Sequence, residues 1–189
     1  KADVNKDGRE DLFVSGDKNK PGKIYLQSPD GKFVPVAESN LGDESLSISS
    51  AASFLDADGD GNIDLYVAKG GYSIIEAGTA PLQDELFLGD GKGNFKKTEG
   101  ALPSLVGSSK SCVAPADYDG DGDVDLLVGG KVIPGLFPVS PRTYLLNNDG
   151  KGKFTAVNTA FDSVGLVSDA KWVDINGDGR KDLLIAGEF

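Results

Sequence analysis

The 189 residues predict an all-β chain, an arc of four-stranded antiparallel blades with an acidic loop between the first two strands of each. Three observations predict it. A ten-residue acidic pattern recurs four times at near-equal spacing, each copy runs into an aliphatic, β-branched segment, and an Asp-Gly turn between aromatic-bearing segments follows each of the first three copies. Self-similarity at a period of several tens of residues marks stacked supersecondary units, and four short strands per unit is the composition of a propeller blade.

The acidic pattern reads Asp-x-Asp/Asn-x-Asp-Gly-x-x-Asp-Leu. Its copies carry Asp3, Asn5, Asp7 and Asp11; Asp56, Asp58, Asp60 and Asp64; Asp117, Asp119, Asp121 and Asp125; and Asp174, Asn176, Asp178 and Asp182. The first positions are 53, 61 and 57 residues apart. Oxygens at positions 1, 3, 5 and 9 of a tight loop suit a hard cation, and calcium takes six to eight such ligands in a flexible shell. Gly8, Gly61, Gly122 and Gly179 at position 6 allow the sharp turn. Position 7 (Arg9, Asn62, Asp123 and Arg180) would contribute its backbone carbonyl, which leaves its side chain free to vary. One copy alone would leave a plain Asp-Gly turn as an alternative; four in one register argue for up to four structural Ca²⁺ ions. Magnesium, with fewer protein ligands and stricter octahedral geometry, fits less well. Fourteen of the thirty acids lie at these positions, so four bound ions would bring the net charge from −11 to about −3.

Each element follows from its residues. Position 12 of the loop, where an EF-hand needs a bidentate Glu, is Val14, Val67, Val128 or Ile185. The segments after the loops, 11–16, 64–70, 125–130 and 182–187, therefore read as strand B of each blade. Segments 50–55, 111–116 and 168–173 are extended and rich in Ala and Ser, which suits a crowded innermost strand A. Tyr25 to Phe33, Phe87 to Phe95 and Tyr144 to Phe154 each enclose an Asp-Gly turn and read as the C–D hairpin. The glycines at 89–93 are not a phosphate loop, because neither Gly-Lys-Ser/Thr nor a helix follows. Blade parts are expected at about 1–38, 46–99, 108–158 and 166–189, in the order B-C-D, A-B-C-D, A-B-C-D, A-B. That is just over three blades, an incomplete arc whose remainder is expected elsewhere in a longer chain.

Absences bound the chemistry. There is no histidine, which removes Ser-His-Asp and Cys-His catalysis and nearly all catalytic zinc sites. One cysteine, Cys112, leaves no internal disulfide, and it reads as a buried thiol in strand A. A net charge of −11 argues against nucleic acid as a partner and against anionic lipid surfaces. No run of eighteen apolar residues suggests a transmembrane helix in this chain.

With loops, strands and hairpins in this order, the sequence resembles the FG-GAP/VCBS repeats of integrin-α-like β-propellers over essentially its whole length. Segments 81–95 and 132–146 resemble a narrower group, the bacterial cartilage-acidic-protein-like proteins associated with an ASPIC/UnbV segment, although that segment is not among these residues. The resemblance implies a seven-bladed calcium-binding propeller that is extracellular or at the cell surface, including bacterial outer-membrane-associated or periplasmic settings. It also implies a non-catalytic scaffold that works through protein contacts.

In such a blade the A–B and C–D turns share one face, and the B–C and D–A connections share the other. The longer connections 16–23, 69–84 and 129–142, with 39–45, 99–110 and 158–166, are therefore the expected working surface. Tyr72, Ile74, Ile75, Phe137 and Arg142 are candidate contacts there, set against the plainer reading that they pack beneath their own loops. Two other readings stand. A polysaccharide lyase would need a base, a cation and a sugar site, and Asp84, Glu85, Arg142 and Tyr144 are the groups near the long loops that could serve. A glycan-binding module would want exposed aromatics repeated from blade to blade, and Tyr72 has no counterpart in the first. Trp172 is expected between blades, with its indole N–H bonded.

Overall fold

A computed structural model describes residues 1–16, 20–37, 41, 48–71 and 76–188. Its strands are β1 (Leu12–Val14), β2 (Lys23–Gln27), β3 (Phe33–Pro35), β4 (Ile48–Leu55), β5 (Asp64–Gly70), β6 (Glu85–Gly89), β7 (Phe95–Lys97), β8 (Ser109–Ala116), β9 (Asp125–Val132), β10 (Tyr144–Asn148), β11 (Phe154–Val157), β12 (Leu166–Val173) and β13 (Asp182–Glu188). A 3-10 turn at Ala80–Leu82 interrupts the second blade's B–C connection. Sequential antiparallel pairing gives the sheets β1-β2-β3, β4-β5-β6-β7, β8-β9-β10-β11 and β12-β13. This is the expected strand order, blade by blade, within an all-β fold.

The middle blades are buried on both faces, which explains why their B strands read as unbroken apolar runs. Side chains alternate along a strand. Leu65, Val67 and Phe87 pack with Val4 and Ile24 of the first blade, while Tyr66, Ala68 and Leu86 pack with Leu126, Val128 and Leu146 of the third. All seven residues of β5 are buried. At about 25 cal/mol per Å² of apolar area, these two interfaces are the main stabilising term.

The small residues of strand A also have a structural reason. β4, β8 and β12 each carry a register shift, after Ser49, Lys110 and Val167, that leaves Ser50, Ser111 and Ser168 bulged. Each bulged serine lies six residues before the first Asp of its loop. The Ser111 hydroxyl donates to the Val167 carbonyl of the next blade at 2.6 Å. A Cβ at Gly129 would lie 2.6 Å from Cys112 Sγ and 2.8 Å from Val167 Cγ1, so β9 approaches β8 closely only because no side chain intervenes. Cys112 is buried, and burial pushes its thiol pKa up. Trp172 is half-buried rather than core. Its indole donates to the Ala114 carbonyl of β8 at 3.1 Å and stacks on Tyr118, so it bridges the third and fourth blades.

Candidate metal centres

The four acidic loops share one construction. The first Asp folds the loop over itself: its two oxygens accept backbone N–H groups from Asp7 and Gly8 in the first loop, Gly59 and Gly61 in the second, Gly120 and Gly122 in the third, and Gly177 and Gly179 in the fourth, at 2.6–3.1 Å. Position 3 accepts the N–H of position 5, from Asp7 to Asn5, Asp60 to Asp58, Asp121 to Asp119 and Asp178 to Asn176. Position 5 accepts the N–H of position 7 in the same way. These contacts turn the carboxylates inward. Gly61 and its equivalents hold φ near +80° to +97°, a conformation that costs glycine little.

The last Asp of each loop has a second task that the repeat pattern does not disclose. Asp11 accepts the N–H of Val4 at 3.0 Å and of Gln27 at 2.8 Å. Asp64 accepts those of Ala57 and Gly89, both at 2.8 Å. Asp125 accepts those of Tyr118 at 3.3 Å and Asn148 at 2.8 Å. Asp182 accepts that of Ile175 at 2.9 Å. In the first three blades this carboxylate staples the start of its loop to the end of strand C. Asp11, Asp64 and Asp125 are buried in consequence.

The loops also touch the next blade. The Val4 carbonyl accepts the Gly93 N–H at 3.2 Å, and the Ala57 carbonyl accepts Asn148 Nδ2 at 2.8 Å. Gly91 passes so close to Asn62 Oδ1, and Gly150 to Asp123 Oδ2, that a Cβ on either would lie 2.4 Å away. The C–D turns and A–B loops therefore occupy one face, as expected.

Within this plan the loops divide into two kinds. In the second and third, carboxylate oxygens of Asp56, Asp58 and Asp64, and of Asp117, Asp119 and Asp125, lie within 4.8 Å of one another. Asp60 and Asp121 at position 5 stand outside that closest group, and Asp60 takes the side-chain amide of Asn62 at 2.7 Å. In the first and fourth loops position 3 is Asn5 or Asn176, and the guanidinium at position 7 turns back onto position 5. Arg9 pairs with Asp7, and Arg180 lies 3.1 Å from Asp178. Arg9 also donates to the Gln27 carbonyl at 2.7 Å.

The carboxyl pKa values follow the same division. Burial, reinforced by the charges of Asp58 and Asp60, raises Asp64 to about 6 against the amides of Gly89 and Ala57. Asp125 is raised by burial and by Asp119 and Asp121, and Asp123 by desolvation and by Asp121 and Asp117. In the fourth loop the amides of Gly179 and Gly177 lower Asp174, and the backbone and guanidinium of Arg180 lower Asp178. Asp3 is lowered despite desolvation, because the amides of Gly8 and Asp7 bond its charged form. The second and third loops thus hold crowded negative charge with no lysine or arginine of their own, and an all-oxygen donor set of this kind could hold a hard metal ion.

The residues considered for lyase chemistry are engaged elsewhere. Asp84 is fully buried, with Tyr66 and Lys110 on its oxygens. Glu85 pairs with Lys69 at 2.7 Å and Lys97 at 2.6 Å. Arg142 pairs with Asp162 at 2.9 Å and lies over the ring of Tyr144, which is buried. Of the candidate contact residues, Phe137 is 65% exposed, and Tyr72, Ile74 and Ile75 lie outside the described residues.

The model of the FG-GAP-like repeat family matches residues 3–67 and 74–128, more than half of the chain and including the first, second and third acidic loops complete. No curated protein matches the chain.

Proposed function

The chain belongs to the FG-GAP-like repeat family, and on that premise we propose that it is a non-catalytic interaction scaffold whose acidic loops hold structural calcium outside the cytosol. The observation that carries the reading is the convergence of three carboxylates in each of the second and third loops, one of them buried and raised in pKa. Calcium would neutralise these acids and cross-link each loop. Asp56, Asp58 and Asp64 would hold one ion and Asp117, Asp119 and Asp125 another, with Asp60, Asp121 and the carbonyls of Asn62 and Asp123 completing the oxygen sets. Asp3, Asn5, Asp7, Asp11 and the Arg9 carbonyl would form a weaker site, as would Asp174, Asn176, Asp178, Asp182 and the Arg180 carbonyl.

Because position 2 of the first and second loops bonds the C–D hairpin of the next blade, ordering a loop would also order a blade junction. Extracellular calcium modules bind with Kd on the order of 0.1–1 mM, which favours occupancy at a cell surface or in a periplasm over a cytosol. The partner is a protein, received on the opposite face by the 76–84, 98–108 and 133–142 segments, with Leu136, Phe137 and Val139 the exposed apolar side chains there.

Thermal unfolding followed against free Ca²⁺, with EDTA and Mg²⁺ controls, tests the metal reading. The expected result is a saturable, Ca²⁺-selective rise in Tm, about 2.7 kcal/mol of stabilisation for a site filled at a hundred times its Kd. An unchanged Tm would overturn it.

A further inference from the structure

On the face away from the acidic loops two lysines are enclosed among the described residues, Lys69 of β5, which pairs with Glu85, and Lys110 of β8. Lys110 of β8 donates to the carbonyls of Leu82 and Leu105 and lies 3.0 Å from Asp84 Oδ1, and neither side chain of that pair is exposed. Asp84 accepts the Tyr66 hydroxyl at 2.7 Å and the Lys69 N–H at 2.8 Å. Beside it Gln83 donates to the Pro103 carbonyl and accepts the Leu105 N–H, both at 3.0 Å. An ammonium has three N–H donors, and three oxygens receive them here. One buried group thus gathers strand A of the third blade, the residue before strand C of the second, the 3-10 turn at Ala80–Leu82, and the connection that carries Leu105 between the two blades.

The repeats show that this is an addition to the blade plan. Lys110 lies seven residues before Asp117; the same position before Asp56 and Asp174 holds Ser49 and Val167. Asp84 immediately precedes strand C; the residues before β2 and β10 are Gly22 and Thr143. Thr143 Oγ1 accepts the Gly130 N–H at 3.2 Å, the counterpart of the Lys69 bond to Asp84. A neutral hydroxyl is therefore enough for the backbone bond. The carboxylate matches a cation that the other two described junctions do not have at this position. Tyr66, which completes it, replaces Phe13 and Leu127 of the neighbouring blades.

We propose that Lys110 and Asp84 form a metal-independent clasp that fastens the second blade to the third on the face opposite the acidic loops. The clasp holds the 80–84 and 103–110 segments in place whether or not the loops carry an ion. Burying two charges is costly, so the pair specifies one docking of the blades rather than adding stability for its own sake. The proposal does not depend on the calcium reading, since it concerns contacts remote from the loops.

Hydrogen exchange on the full chain, in Ca²⁺ and in EDTA, tests it. In the unsubstituted chain the Lys69 and Leu105 amides keep their protection to within about twofold between the two conditions. Lys110→Met, which strands Asp84, lowers protection over 103–110 by about a hundredfold or more in both conditions. Asp84→Asn keeps the shape and one acceptor oxygen, and carries the test if the methionine variant does not fold. Its expected loss is about tenfold over the same segment, with β12 and β13 unchanged. Loss of protection at Leu105 on chelation of the unsubstituted chain would overturn the clasp. Wild-type protection over 103–110 in Asp84→Asn would overturn it as well.

Discussion

The second and fourth acidic loops have the same length, the same glycine at position 6 and the same internal turns, yet they balance charge differently. The second gathers Asp56, Asp58 and Asp64 with no cation and an asparagine at position 7; the fourth replaces one acid by Asn176 and folds Arg180 onto Asp178. The third loop follows the second, with Asp123 adding a further acid, and the first follows the fourth through Asn5 and Arg9. The backbone plan is thus common to all four, while the need for an external cation is not. Affinity in calcium loops follows the charge of the ligand set, so on the proposed reading one repeat motif would encode two grades of site.

The largest expected effect breaks the staple that underlies both grades. Asp64→Ala orphans the N–H groups of Ala57 and Gly89 and should cost about 2–4 kcal/mol in urea unfolding, even in EDTA. Asp182→Ala, which removes a partner from the more exposed Ile175 amide, should cost about 1 kcal/mol. Equal costs would contradict the two-partner staple of Asp64.

Exchanging the residues at position 7 sharpens it. Asn62→Arg should lower Ca²⁺ affinity at the second loop about tenfold, and Arg180→Asn should raise it at the fourth by a similar factor, both read by calorimetric titration.

A smaller effect appears with pH in the metal-free chain. The raised pKa of Asp64 means that its protonated form is favoured in the fold. The part of its contribution linked to that proton is full below the ordinary carboxyl value of 3.8 and lost as pH rises through about 6, while the carboxylate still accepts its two backbone N–H groups. Asp174 and Asp178 are lowered, so their contribution is present above 3.8 and lost as pH falls through their folded values. In EDTA, hydrogen exchange corrected for intrinsic rate should show Ala57 losing protection between pH 4 and 7 while Ile175 does not; saturating Ca²⁺ should remove the difference.

Much of this was legible in the sequence because the repeat is local. Asp, Gly and Leu at fixed spacing define each loop, the aliphatics at position 12 define the strand that follows, and the Asp-Gly turns define the hairpins. The strand order follows from that period. The features that were not legible depend on pairs brought together by the fold. The Asp64–Gly89 staple spans 25 residues, and Lys110 reaches Leu82 across 28. Asp84, Glu85 and Arg142 looked like groups available for chemistry, since sequence does not show that Lys110, Lys69 and Asp162 lie against them. The bulged serines had a signal, a Ser six residues before the first Asp of the second, third and fourth loops, but its meaning required the register of β4, β8 and β12.

Whether these loops are cation sites of two grades is decided by an equilibrium Ca²⁺-binding isotherm of the chain after exhaustive chelation. The expected isotherm has two tighter sites, weakened by Asp58→Asn and Asp119→Asn, followed by two weaker ones insensitive to those substitutions. No saturable binding, or four sites of equal affinity, would contradict it.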